Sequence, residues 1–165
     1  MLNPITKDYS HFEDLYVGQT IDLGATKVSK KMIIEFATKF DPFPFHLDEK
    51  AAKESLLGGL CASGWQTGAI AIKNCLENFP HKLASAGGVG FTDLKWKKPV
   101  MVDDVIGGTV SISKLRRTKS HPEWGVITLD FDIKNQKGET VMLMKLKNLV
   151  DVRDPSAPIK EETNE

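Results

Sequence analysis

A short segment of the chain contains two residues whose side chains could act as an acid and a base. It reads Phe-Asp-Pro-Phe-Pro-Phe-His-Leu-Asp over residues 40–48, so Asp41 and His46 are five residues apart. Pro42 and Pro44 fix their own φ angles and keep the residue before each of them out of the helical region. The backbone therefore holds the carboxyl group and the imidazole in a defined turn, as a general acid/base pair requires. The alternative interpretation is a proline turn with a capping aspartate and a surface histidine.

The elements on either side of this turn are helices. Apolar residues at helical spacing predict a helix over residues 30–40, for which Ser29 supplies an N-cap. Asp48 can cap a second, short helix over residues 49–54. The acid/base segment is thus expected to connect two helices.

A third predicted helix, over residues 64–78, has an unusual composition. Its residues are small or apolar on nearly all sides, and charge occurs only at Lys73 and Glu77. A helix that is apolar all round is typical of a buried helix. At about 15 residues it would be roughly 22 Å long, which is too short to cross a bilayer but long enough to run the width of a sheet.

The remaining elements are strands. Alternating apolar and β-branched residues predict strands over residues 20–28, 89–96, 104–115, 124–133 and 140–152. One early strand, then helices, then four strands joined by short turns predict an α+β fold in which an antiparallel sheet is covered on one face by the helix. A single domain over residues 1–152 is expected, and the acidic, proline-containing residues 153–165 are expected to be disordered.

Composition excludes several function classes. The 165 residues include 22 Lys plus Arg and 22 Asp plus Glu, so the net charge of zero gives no electrostatic case for nucleic acid or an anionic membrane. No apolar segment has the length of a membrane span or the position of a secretory signal, which predicts a soluble, cytoplasmic protein. Cys61 and Cys75 lack metal-site spacing, and the single histidines at 11, 81 and 121 do too, so no metal site is expected.

Together these features resemble the hotdog fold, and specifically the MaoC-like dehydratases related to the (R)-specific enoyl-CoA hydratases. The hydratase signature Asp-x-Asn-Pro-x-His is matched at Asp41, Pro44 and His46, and it departs at Phe43, where the signature has asparagine. The resemblance covers nearly the whole chain. Further landmarks of the group are matched at Gly64, at residues 95–100, at Asp103 and Asp104, and at residues 135–139.

The resemblance implies an activity and roles for three residues. A MaoC-like hydratase adds water across the C2–C3 double bond of an enoyl-CoA thioester. Asp41 and His46 would activate the water, and the backbone N–H of Gly64, at the amino end of the buried helix, would bind the thioester oxygen. Coenzyme A would be part of the substrate, with no separate cofactor, and the resemblance implies a homodimer or a dimer-based oligomer. The other interpretation of Gly64 is that it lets the helix pack closely against the sheet.

Four neighbouring residues are expected to contact the substrate: Phe43, Phe45, Ser63 and Trp65. The two phenylalanines supply an apolar wall, which burial of an acyl chain requires. Ser63 stands where the family usually has a histidine, and its hydroxyl could either face the pocket or act as the N-cap of the buried helix. Cations at Lys95, Lys97, Lys98, Arg116 and Arg117 are either partners for coenzyme A phosphates or part of a solvated strand face.

Two other functions remain open from the sequence. A hotdog acyl-CoA thioesterase would use a carboxylate on the central helix to direct water at the thioester carbonyl, and Glu77, at the far end of that helix, is the only acid there. A non-catalytic acyl-thioester-binding domain is the third possibility, because Phe43 cannot make the hydrogen bonds of the signature asparagine.

Overall fold

Seven strands and four α-helices follow one another along the residues that the computed structural model describes, 9–160. In chain order the elements are β1 (Tyr9–Ser10), a one-turn 3₁₀ helix (Phe12–Asp14), β2 (Thr20–Lys27), α1 (Lys30–Phe40), α2 (Pro44–Leu47), α3 (Glu49–Glu54), α4 (Gly64–Asn78), β3 (Lys82–Leu83), β4 (Ser85–Trp96), β5 (Val105–Arg117), β6 (Trp124–Lys134) and β7 (Thr140–Asp151). The predicted helices and strands all occur.

Five of the strands form one antiparallel sheet in the order β2-β5-β6-β7-β4. Strands β5, β6 and β7 are consecutive hairpins, so Leu129 in the middle strand lies opposite Ile112 on one side and Leu146 on the other. The turn between β6 and β7 ends at Gly138, whose φ of +74° suits glycine. Strands β1 and β3 pair separately, in parallel.

The core lies between this sheet and helix α4. Side chains alternate along β6, so that Ile127, Leu129, Phe131 and Ile133 are buried on one face and join an apolar cluster with Ile70 of α4. Burying each such side chain contributes roughly 1.5–3 kcal/mol relative to leaving it exposed. The predicted α+β architecture, an antiparallel sheet against a central helix, is confirmed.

Helix α4 is buried along one face only. Its inward face is held by hydrogen bonds, from Gln66 Nε2 to the Met32 carbonyl at 2.9 Å and from Thr26 Oγ1 to Asn74 Oδ1 at 2.9 Å. The opposite face leaves apolar side chains at the surface, with Trp65 53% exposed and Leu76 58% exposed. The prediction of a helix buried all round therefore differs from the structure, because the single chain covers only the side that meets the sheet and α1.

The segment after β7 contacts the body of the domain. Arg117 Nη2 donates to the carbonyl of Ala157 at 2.6 Å and to that of Asp154 at 3.2 Å, and Arg153 pairs with Asp14. Disorder is the expectation from composition for residues 153–165, yet residues 153–160 have these defined partners, and residues 161–165 lie outside the described residues. The contacts named here are hydrogen bonds and ion pairs, not apolar packing.

No helix in the described part of the chain is both long enough and apolar enough to cross a membrane.

Candidate active site

The carboxyl group and the imidazole come from the connection between α1 and α3. Helix α1 ends at Phe40, and the N–H of Asp41 donates to the Ala37 carbonyl at 2.9 Å as the last helical bond. Pro44 occupies the first position of the one-turn helix α2, a position that needs no N–H donor. His46 lies on that turn, and its own N–H donates to the Phe43 carbonyl at 2.9 Å. The two prolines thus direct both polar side chains to the same side of the chain.

His46 is held in one orientation and one tautomer. Its side chain is 8% exposed, and Nδ1 lies 2.8 Å from the carbonyl oxygen of Cys61. A carbonyl oxygen only accepts, so Nδ1 carries a proton and donates it, and in the neutral ring Nε2 is unprotonated. The Cys61 carbonyl is itself fixed, because Ala62 N–H donates to the Val100 carbonyl at 2.8 Å and Val102 N–H donates to the Leu60 carbonyl at 3.3 Å.

Asp41 faces the free nitrogen of this imidazole. Its Oδ2 lies 3.6 Å from His46 Nε2, and its side chain is 18% exposed. This separation is too long for a direct hydrogen bond, but one water can hydrogen-bond to both atoms. The arrangement can therefore hold a water between a carboxylate and an unprotonated ring nitrogen.

An aromatic stack lies behind the imidazole. The Phe45 ring meets His46 nearly edge-on, with centroids 4.6 Å apart and planes at 70°. Phe43 stacks on Phe45 with centroids 5.2 Å apart and planes at 5°. Such pairs are each worth about 0.5–1.5 kcal/mol beyond their buried area. Phe43 occupies the N-cap position of α2 without a side-chain hydrogen bond, so it contributes ring contacts where an asparagine would cap.

The amino end of α4 also belongs to the site. Ser63 is fully buried, and its Oγ accepts from the Trp65 N–H at 3.1 Å, which makes it the N-cap of the helix. Gly64 follows as the first helical residue, and its N–H has no intrahelical acceptor because of this position. A Cβ on Gly64 would lie 2.5 Å from Nε1 of Trp96. A side chain at this position would therefore force the indole to move.

These parts line a cavity of about 440 Å³. Its walls are mostly apolar, and they include the carboxyl group of Asp41, the imidazole of His46 and the start of α4. A volume of this size is within the usual range for small-molecule sites. The lining residues include Asp41, Phe43, Phe45, His46, Cys61, Gly64, Trp65, Trp96, Lys97 and Lys98.

Six of the seven residues expected from the sequence line this cavity, and Ser63 does not. Its hydroxyl accepts the N-cap hydrogen bond, as the capping alternative describes, and its contact with substrate stays a prediction. Glu77, the acid that a thioesterase would need, forms an i,i+4 ion pair with Lys73 at 2.5 Å on the exposed surface. It is absent from the cavity wall formed by the described residues.

The structure also brings in residues that the sequence did not single out. Cys61 supplies the carbonyl for His46, and its own Sγ lies 3.8 Å from Nδ1. Burial raises the pKa of the Cys61 thiol to about 11, so it stays protonated near neutral pH. Trp96 forms part of the cavity wall. Its position within the family landmark at residues 95–100 was the one feature of the sequence that could have indicated this role. The role of the Cys61 carbonyl could not be predicted from the sequence, because every residue has a backbone carbonyl whatever its side chain.

The candidate phosphate partners separate into two groups. Lys97 and Lys98 lie at the cavity, with Lys98 Nζ 2.5 Å from Glu139 Oε1. Arg117 is directed instead at residues 153–160, and Lys95 belongs to a different surface depression. No group of three or more metal-ligating side chains occurs within residues 9–160.

Comparison with known proteins agrees with this architecture. The sequence profile described as "MaoC like domain" matches residues 14–128. The chain belongs to the MaoC-like domain family. A Bacillus subtilis relative, the uncharacterized protein YdeM, is 31% identical over 138 residues, which are 84% of this chain and 96% of YdeM.

Solved structures share the fold. The MaoC-like dehydratase from Rhodospirillum rubrum superposes with a TM-score of 0.79 at 36% identity, over 88% of this chain and 99% of that one. The R-hydratase PhaJ1 from Pseudomonas aeruginosa superposes with a TM-score of 0.68 at 19% identity, over 87% of this chain and 86% of that one. The family and hotdog fold suggested by the sequence are thereby confirmed.

Proposed function

We propose that this MaoC-like protein adds water across the C2–C3 double bond of an enoyl thioester, or removes it in the reverse direction. Support for a hydratase or dehydratase in general comes from the family and from relatives named as a dehydratase and an R-hydratase. The observation that carries the specific proposal is the buried His46, whose Nε2 faces the carboxyl group of Asp41 in an apolar cavity.

The reaction needs three operations from the protein. A water between Asp41 and His46 loses a proton to this pair as its oxygen bonds to C3, and the pair returns one proton to C2. The double bond is thereby replaced by one C–O and one C–H bond, with no group left over. Negative charge that builds on the thioester oxygen is stabilised by the N–H of Gly64 and the positive end of α4.

The substrate class follows from the cavity lining. Phe43, Phe45 and Trp65 offer aromatic surface to an acyl chain, while Lys97 and Lys98 offer positive charge to the phosphates of a coenzyme A carrier. Phe43 in place of the signature asparagine makes this wall more apolar. No cofactor beyond the carrier is needed for the chemistry.

Substitution of the acid/base pair tests the proposal. Asp41→Asn and His46→Ala should each lower the rate of crotonyl-CoA hydration, followed by loss of absorbance of the conjugated double bond, by about 100 to 10,000-fold. Matched controls are Asp103→Asn and His121→Ala, because both side chains are exposed and neither lines the cavity. Wild-type turnover in both site variants would make the role assignment wrong.

The same assay separates the alternatives. Release of free coenzyme A without hydration would indicate a thioesterase. Tight binding of acyl thioesters with no turnover on any chain length would indicate a non-catalytic binding domain.

We also propose that two copies of the chain form a homodimer through β4 and α4. Strand β4 is an edge strand with no buried residue along its length, and Val89 and Phe91 on it are 58% and 50% exposed. Trp65 on α4 lies 6.2 Å from Phe91, centroid to centroid, so the exposed apolar surfaces of strand and helix are continuous. An apolar surface beside an unpaired strand edge is suited to pairing with a second copy.

Light scattering at micromolar concentration tests the dimer. Val89→Lys should give a monomer, whereas Leu56→Lys, a change at a fully exposed leucine outside this surface, should leave the dimer intact. A wild-type monomer would refute the proposed assembly.

A further inference from the structure

Trp96 packs against the same helix start that is proposed to bind the thioester oxygen. A Cβ on Gly64 would lie 2.5 Å from Trp96 Nε1 and 2.7 Å from Cδ2, so Gly64 packs on the face of the five-membered ring, beside its nitrogen. Both residues line the cavity. The proposed function gives a role to the Gly64 N–H but leaves the indole N–H unused.

The two nitrogens are close enough to share an acceptor. Cβ is one bond from Cα, and Cα is one bond from the backbone nitrogen, at about 1.5 Å each. The Gly64 nitrogen and Trp96 Nε1 are therefore no more than about 5.5 Å apart, given the 2.5 Å separation above. An oxygen that accepts from both at about 2.9 Å allows up to about 5.8 Å between the donors.

Neither N–H has a hydrogen-bond acceptor among residues 9–160. The Gly64 N–H is in the first helical turn, and the indole N–H can only donate. The same cavity is also lined by His46, which is 7% exposed and whose Nε2 makes no hydrogen bond within that same part of the chain. The cavity lining thus contains two unused donors and an unused ring nitrogen, which a polar ligand could engage.

We propose that Trp96 Nε1–H and the Gly64 N–H together bind the thioester oxygen, which makes Trp96 a catalytic residue. This inference rests on the proposed function and adds a second donor to it. The indole keeps its proton throughout, and its hydrogen bond strengthens as negative charge develops on the oxygen. A purely packing role for Trp96, beside Trp65 at 5.4 Å, would be served equally well by phenylalanine.

Trp96→Phe separates the donor from the ring. It keeps an aromatic side chain against Gly64 and removes only the N–H. We expect kcat for crotonyl-CoA hydration to fall about 100-fold with KM within about threefold, as for loss of one such donor. Trp124→Phe, on β6 and outside the cavity, is the matched control and should keep wild-type kcat. Unchanged kcat in Trp96→Phe would overturn the inference while leaving the hydratase proposal intact.

A spectroscopic measurement distinguishes this inference from the proposed function. Butyryl-CoA has no double bond to hydrate, and the stretching frequency of its ¹³C-labelled thioester carbonyl falls as hydrogen bonds to the oxygen are added. The infrared difference spectrum of the bound ligand should show a higher frequency in Trp96→Phe than in wild type or Trp124→Phe. Equal frequencies would overturn the donor role even if kcat had fallen, because altered packing would then explain the loss.

The two measurements also show whether the proposed hydratase reaction itself is wrong. If the carbonyl frequency shifts in Trp96→Phe but the wild-type protein hydrates no enoyl thioester, the donor pair is supported and the hydratase proposal is refuted. Wild-type protein that does not bind butyryl-CoA at millimolar concentration would refute both.

Discussion

Replacing Gly64 with alanine should remove most of the activity because the new methyl group would occupy the space of the indole. Carbon atoms in contact prefer separations of about 3.5–4.0 Å. The new Cβ would be 2.7 Å from Trp96 Cδ2 and nearer still to Cε2, so the ring must withdraw by at least about 1 Å. A displacement of about 1 Å in a group that positions the reacting atoms can lower the rate about 100-fold. We therefore expect kcat/KM for crotonyl-CoA to fall by about this factor.

The stability of this variant should change little. Trp96 is 48% exposed, so its ring can move outward without opening the core. Alanine is favoured over glycine in a helix by up to about 1 kcal/mol, and weaker contact of the indole would cost about 0.5–1.5 kcal/mol. These effects nearly cancel, and the free energy of unfolding should stay within about 1 kcal/mol of wild type.

Gly68 on the same helix provides the matched control. A Cβ there would meet nothing within 4 Å, so Gly68→Ala should keep wild-type turnover and gain up to about 1 kcal/mol in chemical denaturation. Hydration assays test the expected turnover of both variants, and unfolding curves test their expected stability. A folded Gly64→Ala protein with turnover within threefold of wild type would refute the argument from the Trp96 contact.

Three further changes test other parts of the structure. Phe43→Asn should lower kcat/KM for a hexenoyl thioester about tenfold more than for crotonyl-CoA, since each buried methylene contributes about 0.8 kcal/mol at an apolar wall; equal losses would contradict an acyl-contacting role. Arg117→Ala should lower stability by about 1–3 kcal/mol and expose residues 153–160 to limited proteolysis, whereas Arg116→Ala, which makes no bond to that segment, should do neither. Because the pKa of Cys61 is raised to about 11, its alkylation by iodoacetamide should be slow at pH 8 and accelerate as pH approaches 11; rapid labelling of native protein at pH 8 would refute this.

The secondary structure was predictable because local signals in this chain agree with one another. Ser29 and Asp48 cap the helices that follow them, with their side chains accepting from Met32 N–H at 3.2 Å and Ala51 N–H at 2.8 Å. The helix over residues 64–78 was predicted with the bounds that the structure gives, since Ser63 caps it at one end and Pro80 follows the other. Capping groups and prolines act within a few residues, so sequence alone reveals them.

The contacts that complete the site act over longer distances and were not predictable in the same way. Asp41 and His46 were found from spacing and proline chemistry. The partner that orients the imidazole is a backbone carbonyl 15 residues away at Cys61, and every residue type has one. Trp96 reaches Gly64 only because β4 lies beside the helix start, which depends on the curvature of the whole sheet.

Helix α4 illustrates a different limit, because its composition reflects an environment larger than one chain. Apolar residues on all sides predicted burial on all sides, yet Trp65 and Leu76 remain more than half exposed in the single chain. A surface of this kind is costly in water and is usually covered by another molecule. The prediction from composition and the structure of one copy agree if a second copy covers the exposed face. Trp65 would then lie at once in the subunit contact and in the cavity wall, and assembly would help to position the aromatic side chains around the proposed oxygen site.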